Sequence, residues 1–330
     1  MALPITSLPL PKATTKHLAA QNITFLSDVV QTLPWLDSYS QKDVVSQLEE
    51  LNLPQSHEKL LLDVLTTNIN DPSFLSSKDV KESVLKSSLI TFSSHLDALL
   101  CGGIFPGEII EFVGEPGSGT TQLCSQLAVD CTIPKIFGGR NCKTLIVDCN
   151  GDTCEARLNQ MADATLSHLK LIASSSEERD VVSRLTVKEM LSSISTMRCT
   201  DYSQLLALIN NISEECNYGA VIVDALATHF RHEFDDMRQR TNILAELSNK
   251  LHRLCIRHNV TLVIVNQVRM DGEGNVQPCL GESWSHTAHR RVFLRKVAGD
   301  VYSATVMKGE KSGETANFRI SSRGIRDCPS

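Results

Sequence analysis

Residues 108–127 read EIIEFVGEPGSGTTQLCSQL, and this stretch decides the fold. The apolar run Ile109, Ile110, Phe112 and Val113 has the composition of a buried strand. A glycine-rich turn follows from Gly114 to Gly119, and apolar residues resume at helical spacing at Leu123, Leu127 and Ala128. Strand, glycine turn and helix in that order make a phosphate-binding loop. The glycines let successive backbone N–H groups face one anion, and the helix N-terminus adds its dipole. The full signature is G-x-x-x-x-G-K-[ST]. Here it reads Gly114-Glu115-Pro116-Gly117-Ser118-Gly119-Thr120-Thr121, with threonine in place of the lysine. Thr121 keeps the hydroxyl that would bind Mg2+.

Around this loop the chain has room for one large domain and a small one. Its 330 residues are 42% hydrophobic, which supplies a sizeable core. No apolar run approaches the ~18 residues of a membrane span, and the first residues, MALPITSLPLPKATTK, lack the layout of a signal peptide. The eleven cysteines are scattered and never fall as C-x-x-C. With no export signal they read as reduced thiols inside a cell. A net charge of −6 excludes a uniformly basic coat for nucleic acid but allows local positive patches.

Residues 1–68 read as a small helical domain. KHLAAQNITFLSDVVQTL, KDVVSQLEELNL and NLPQSHEKLLLDVLTTN each place apolar residues three and four apart, and prolines punctuate them. Residues 69–89 turn polar and charged, as a linker does. Within it, Phe74 is an aromatic followed by Leu75, Ser76 and Ser77; it either plugs a partner's pocket or folds back on its own domain. Residues 90–330 read as an α/β core, with strands expected at 109–113, 144–148, 169–173, 220–224, 261–266, 291–295, 302–307 and 318–320. Helical stretches separate the earlier ones and the last three follow closely. The pattern predicts a mostly parallel sheet flanked by helices, finished by antiparallel strands at one edge.

Several strand ends carry groups suited to nucleotide chemistry. Asp224 ends the run Ala220–Asp224, where a carboxylate would hold Mg2+ beside the phosphate loop. Asp148, ending the neighbouring strand, either orients an attacking water or caps the turn after it. Gln267 closes another strand, placed to sense a γ-phosphate by hydrogen bonding. Two polar stretches, 228–240 and 268–284, read as loops for a ligand such as DNA. The H-x-x-H spacings His229/His232 and His286/His289 have no third ligand and read as ordinary histidines rather than metal sites. From Arg290 the tail is locally basic, either tracking a phosphate backbone or forming a solvated strand face.

Taken together, these pieces resemble the eukaryotic RecA-type recombinases of the Rad-fifty-one family, most closely its C-paralog branch. The resemblance covers residues 90–327 and rests on ITFSSHLDALLCGGIFPGEIIEFVGEPGSG, TQLCSQLAVDCTIPKIFGG, MRCTDYSQLLALI, VIVDALATHFRHEFDDMRQRT, VNQV and LGESWSHTAHRR. LGESW with its following histidine and HFRHEFDD are far more specific than the phosphate loop. The resemblance implies a RecA-like core and a role in homologous-recombination DNA repair, within a complex of paralogs that supports the recombinase on single-stranded or branched DNA. It implies ATP and Mg2+ as ligands, and a nuclear location with a cytoplasmic pool allowed. By position it assigns phosphate contacts to Gly114–Thr121, adenine stacking to Arg157, and Mg2+ or γ-phosphate contacts to Thr121, Asp224 and Gln267. DNA contacts fall to Arg231, Arg238, Arg240 and Arg269 in the two loops. Phe74 and Ser77 sit where the family's F-x-x-A assembly motif lies, with serine at the fourth position.

Three departures bear on activity. Thr120 replaces the lysine, removing a charge-assisted contact of roughly 1.5–3 kcal/mol. Asn150 stands where the family's D-T-E-G motif carries its catalytic glutamate, removing a general base that contributes about 10²–10⁴ in rate. Met307-Lys308-Gly309-Glu310 lacks the proline common in the family's nucleotide-capping turn. With binding and chemistry both weakened, the sequence reads as a non-hydrolysing or weakly hydrolysing DNA-binding paralog. The alternatives are an ATPase completed in trans by a partner, and a protein adaptor with a remnant phosphate loop.

Overall fold

The computed structural model describes residues 12–20, 88–214, 216–232, 234, 236–270, 272 and 276–329. The chain divides into two units, Met1–Glu82 and Ser83–Ser330. In the first, the described residues form α1 (Lys12–Ala20), with Leu18 fully buried. The other helices expected within 1–68, most of the expected linker, and Phe74 and Ser77 lie outside the described residues.

In the second unit, Leu89 and Ile104 exchange backbone hydrogen bonds of 2.7 and 2.9 Å around α2 (Ser94–Leu99). The core then runs β1 (Ile109–Gly114), α3 (Thr120–Asp130), β2 (Thr144–Asp148), α4 (Glu155–Ile172), α5 (Ser176–Arg184), α6 (Val187–Ser192), β3 (Ile194–Arg198), α7 (Tyr202–Glu214) and β4 (Ala220–Asp224). It continues through α8 (Ala227–His232), α9 (Met237–His258), β5 (Thr261–Met270), β6 (Val276–Pro278), β7 (Arg290–Ala298), β8 (Val301–Lys308), β9 (Thr315–Ser321) and β10 (Gly324–Asp327).

One sheet runs β10-β9-β8-β7-β1-β5-β4-β2-β3, with β6 paired to the far end of β5. From β7 through β1 to β3 all pairs are parallel, and β7 to β10 are antiparallel. Strand residues alternate between two cores, as the two-residue period of a strand requires. Ile110, Phe112, Ile146, Ile222, Val263 and Val265 face the side covered by α3 and α4. Ile109, Leu145, Val147, Val221, Val223, Leu262 and Ile264 face the side covered by α7 and α9. Helices on both faces explain why the central strands read as near-continuous apolar runs.

The strand expected at 169–173 is instead the end of α4. The buried positions Leu158, Met161, Ala162, Thr165, Leu166 and Leu169 keep helical spacing into that run, and Leu171 beyond them is exposed. The strand paired at the sheet edge is β3, whose residues are half-buried or exposed, so it carries no apolar run to announce it. The two expected loops are also more ordered than their composition implies. Residues Met237–His258 form α9, which takes Arg238 and Arg240 out of a loop. Val268, Arg269 and Met270 pair with Pro278, Gln277 and Val276 as a hairpin.

Much of the basic tail is turned inward. Arg290 is ion-paired to Glu108 and Arg291 to Glu111. Lys308 donates to the carbonyls of Ser285 at 2.9 Å and Ala288 at 2.6 Å. Arg319 pairs with Asp300, and the Arg326 guanidinium lies 4.9 Å from the Phe92 ring. Arg290, Arg291, Lys308 and Arg326 thus tie the last strands to the rest of the core, whereas Arg295, Lys296 and Arg323 stay exposed.

Candidate functional site

Sheet register brings the strand ends together. Gly114 lies opposite Gln267 across β1 and β5, and Asp148 lies opposite Asp224 across β2 and β4. Carboxyl ends of parallel strands are where open α/β sheets bind ligands. The phosphate loop bridges β1 and α3, with Glu115, Pro116 and Gly117 exposed, Ser118 buried, and Gly119, Thr120 and Thr121 half-buried. Gly119 caps α3 at φ +90, in the left-handed region. A Cβ there would stand 2.5 Å from Ile320 Cδ1 and 3.3 Å from the Tyr302 ring, so β8 and β9 press on the lip of the loop.

The Thr121 hydroxyl lies close enough to Asp224 to act on its carboxyl. Burial pushes the Asp224 carboxyl up to about 6, Thr121 opposes the shift, and the charges of Asp148 and Asp152 add to it. Asp148 is committed to a turn. Its Oδ1 accepts from the backbone N–H groups of Asn150, Gly151 and Asp152 at 3.1, 2.6 and 3.3 Å, and its Oδ2 from that of Thr153 at 3.1 Å. Burial would raise its pKa, but these donors outweigh burial and hold the carboxyl below its ordinary range. Of the two roles open to Asp148, the geometry supplies the turn cap.

Asn150, one turn further, starts a chain of side chains. Thr228 Oγ1 donates to Asn150 Oδ1 and accepts from Gln267 Nε2 at 3.4 Å. Gln267 Oε1 in turn accepts from Arg231 Nη1 at 3.0 Å. The position that lacks a glutamate is thereby tied, through neutral groups, to Gln267 on β5 and an exposed arginine. Arg231, Arg240 and Arg269 all act on the Cys279 thiol, which marks their convergence. Arg231 and Arg269 are exposed, but Arg240 is buried, donating to Phe230 O at 2.7 Å and Cys279 O at 3.0 Å. Arg240 is therefore a brace between α9 and the segment after β6 rather than a surface cation, correcting the expectation that it meets DNA. Arg238 is exposed on the first turn of α9.

Arg157, on the first turn of α4, lies beside the phosphate-loop helix. It donates to Gln122 Oε1 at 2.6 Å, Gln160 Oε1 at 3.2 Å, Ser322 O at 2.7 Å and Ser321 O at 2.6 Å. His229 is buried against Cys199 O at 3.1 Å, while His289 Nδ1 accepts from Ile109 N at 2.9 Å.

Sequence reading missed Glu111, a fully buried carboxylate on β1. It accepts from Asn266 Nδ2 at 2.7 Å and Trp284 Nε1 at 3.0 Å, and pairs with Arg291. The signal was present: a charged residue inside the apolar run IIEFV requires a buried partner. Thr228, Tyr302 and Ile320 were also missed as parts of the site, since only the tertiary fold brings them to the loop.

The residues present fit a nucleotide with a divalent cation. Ser118 Oγ is buried in the loop with no hydrogen-bond partner. Thr121 and Asp224 pair a hydroxyl with a buried acid. Among the described residues no cluster of three His, Cys, Asp or Glu side chains would hold a metal alone, so a cation here needs phosphate or water oxygens as well.

A parallel sheet with a phosphate loop on its central strand, an acid on β4 and a glutamine on β5 defines a RecA-type core. The family model described as Rad51 matches residues 81–328. The chain is 34% identical over 250 residues to the DNA repair protein RAD51 homolog 3 of Cricetulus griseus, covering 73% of this chain and 68% of that protein. It is 31% identical over 217 residues to the protein of the same name in Dictyostelium discoideum, covering 63% and 57% respectively. The DNA repair and recombination protein RadA of Aeropyrum pernix is 31% identical over 267 residues, 77% of this chain and 78% of that protein. The chain belongs to the Rad51 family, RAD51 homolog 3 is among the paralogs it resembles, and this membership supports a role in recombination repair.

Proposed function

We propose that this chain acts in homologous-recombination repair as a DNA-binding, recombinase-assisting subunit of a paralog complex, binding nucleotide weakly and turning it over little or not at all. The observation that carries the reading is the chain Asn150–Thr228–Gln267–Arg231. It puts a hydrogen-bonded amide where the family has a carboxylate. An amide orients a water but takes no proton from it, and Asp148, the nearby acid, is engaged by backbone donors that weaken it as a base. The same chain gives an occupied site a physical route to Arg231, an exposed cation suited to a DNA phosphate.

In this reading Gly114–Thr121 hold ATP phosphates through backbone N–H groups, without the ammonium that Thr120 lacks. Thr121 and Asp224 hold Mg2+, which neutralises phosphate charge when bound. Gln267 meets the terminal phosphate, and Arg231, Arg238 and Arg269 meet single-stranded or branched DNA. Recombinase and sister paralogs engage Phe74 and Ser77, and the protein works in the nucleus. The resemblance of the family blocks and the names of the relatives support this setting.

The test is nucleotide binding and hydrolysis by the purified chain, alone and with recombinase paralogs, beside a Thr120→Lys/Asn150→Glu variant. The reading expects weak binding and no turnover by the wild type, and tighter binding by the variant, by roughly ten- to 150-fold if the lysine contact is fully recovered. Wild-type turnover that appears only with a partner and depends on Thr121 and Asp224 would overturn it in favour of an ATPase completed in trans.

A further inference from the structure

We propose that Cys142 and Cys131 form a thiol pair that a hydroperoxide oxidises to an intramolecular disulfide, linking the far end of the phosphate-loop helix to the approach to β2. Cys131 follows α3 directly and Cys142 lies two residues before β2. The segment between them folds back through a short 3-10 helix at Lys135–Phe137. Cys142 N donates to Cys131 O at 2.9 Å, and Asn141 N donates to Ile133 O at 2.9 Å. That single bond between the Cys142 and Cys131 backbones holds their Cα atoms within about 7 Å of each other, the limit beyond which a disulfide needs backbone movement.

The two thiols act on each other's ionisation in the reduced protein, Cys131 favouring the Cys142 thiolate and Cys142 pushing the Cys131 thiol up. Their surroundings divide the roles. Cys131 is buried and Cys142 half-buried, so an oxidant meets Cys142. The Cys131 thiol, with the Arg140 and Lys135 charges behind it, favours the Cys142 thiolate against burial. A Cβ at Gly219 would stand 2.5 Å from Cys142 Sγ, so the bare backbone of Gly219 makes room for the sulfur. No other cysteine combines these features: Cys149, for instance, is buried and its thiol is pushed up by burial.

The step balances with the hydroperoxide as oxidant. The Cys142 thiolate attacks the distal peroxide oxygen, the O–O bond breaks, and Cys142 becomes a sulfenic acid as hydroxide or alkoxide leaves. Cys131 then attacks the Cys142 sulfur, the S–O bond breaks, and the hydroxide released takes the Cys131 proton to form water.

The experiment exposes the reduced full chain to equimolar hydrogen peroxide, blocks free thiols with iodoacetamide, and maps the digest by mass spectrometry without reductant. The expected result is a Cys131–Cys142 link that forms before the exposed Cys154 is oxidised and is lost on adding dithiothreitol. Cys142→Ser should abolish the link, while Cys131→Ser should leave a Cys142 sulfenic acid that dimedone traps. Oxidation at Cys154 or Cys328 without the Cys131–Cys142 link would overturn the proposal. So would a link that forms as readily in the urea-unfolded chain, because the folded pairing would then contribute nothing.

Discussion

Removing the charge of Glu111 should destabilise the core more than any loss at the phosphate loop. Glu111 is fully buried and accepts from Asn266 Nδ2, Trp284 Nε1 and Arg291. Glu111→Gln leaves an oxygen for Asn266 and Trp284 but strands the Arg291 charge, at about 3–5 kcal/mol. Glu111→Leu also leaves two buried N–H donors without an acceptor, adding about 1–3 kcal/mol for each. Arg291 Nη2 is buried with no hydrogen-bond partner, so the pair is imperfectly satisfied even in the wild type. Replacing both ends should therefore recover much of the loss. In a urea-denaturation cycle of Glu111→Leu, Arg291→Met and the double variant, the two losses should fall short of additivity by about 2 kcal/mol or more. A Glu111→Gln loss below about 1 kcal/mol, or strict additivity, would refute the argument that a desolvated charge pair fastens β1 to β7.

Asp224 gives a pH signature with a definite sign. Its folded pKa of about 6 lies above the ordinary 3.8, so its stabilising contribution is complete below about pH 4 and is lost as pH rises through 6. Asp224→Asn should consequently be more stable than the wild type at pH 7, by up to about 3 kcal/mol, with the gain vanishing near pH 4 in denaturation curves. In the proposed nucleotide site, Mg2+-dependent affinity should fall as pH drops below about 6, because protons compete for the same carboxylate; titration calorimetry across pH 5–8 reads this. Arg240→Ala should unfold at lower denaturant by roughly 2–4 kcal/mol, whereas Arg231→Ala should leave stability within about 0.5 kcal/mol. If the exposed arginines meet DNA, the Arg231→Ala/Arg269→Ala variant should also show a shallower salt dependence of single-strand binding.

The central strands were legible because burial on both faces writes them as apolar runs bounded by informative residues. Gly114, Asp148, Asp224 and Gln267 were found for that reason, and register then brought their backbones level. The edge strand β3 was hidden because Ser195, Thr196, Met197 and Arg198 lie largely in solvent, where no periodicity is imposed. Arg240 was misassigned because charge in a polar stretch says nothing about direction; the carbonyls of Phe230 and Cys279 that turn it inward are distant in sequence. Asn150 was recognised as a lost base, yet its tie to Gln267 through Thr228 depends on three separate segments converging.

The bonds of Arg157 bear on which nucleotide the site would choose. A guanidinium side chain carries five N–H donors, and here Gln122, Gln160, Ser321 and Ser322 engage four of them. In the proposed nucleotide site, a base stacked on Arg157 would meet a flat cationic face and a single remaining donor. Stacking of that kind favours a purine by surface area but does not read the exocyclic groups that separate adenine from guanine. A base held chiefly by Arg157 would thus be accepted by shape, and ATP and GTP should compete for this chain on nearly equal terms.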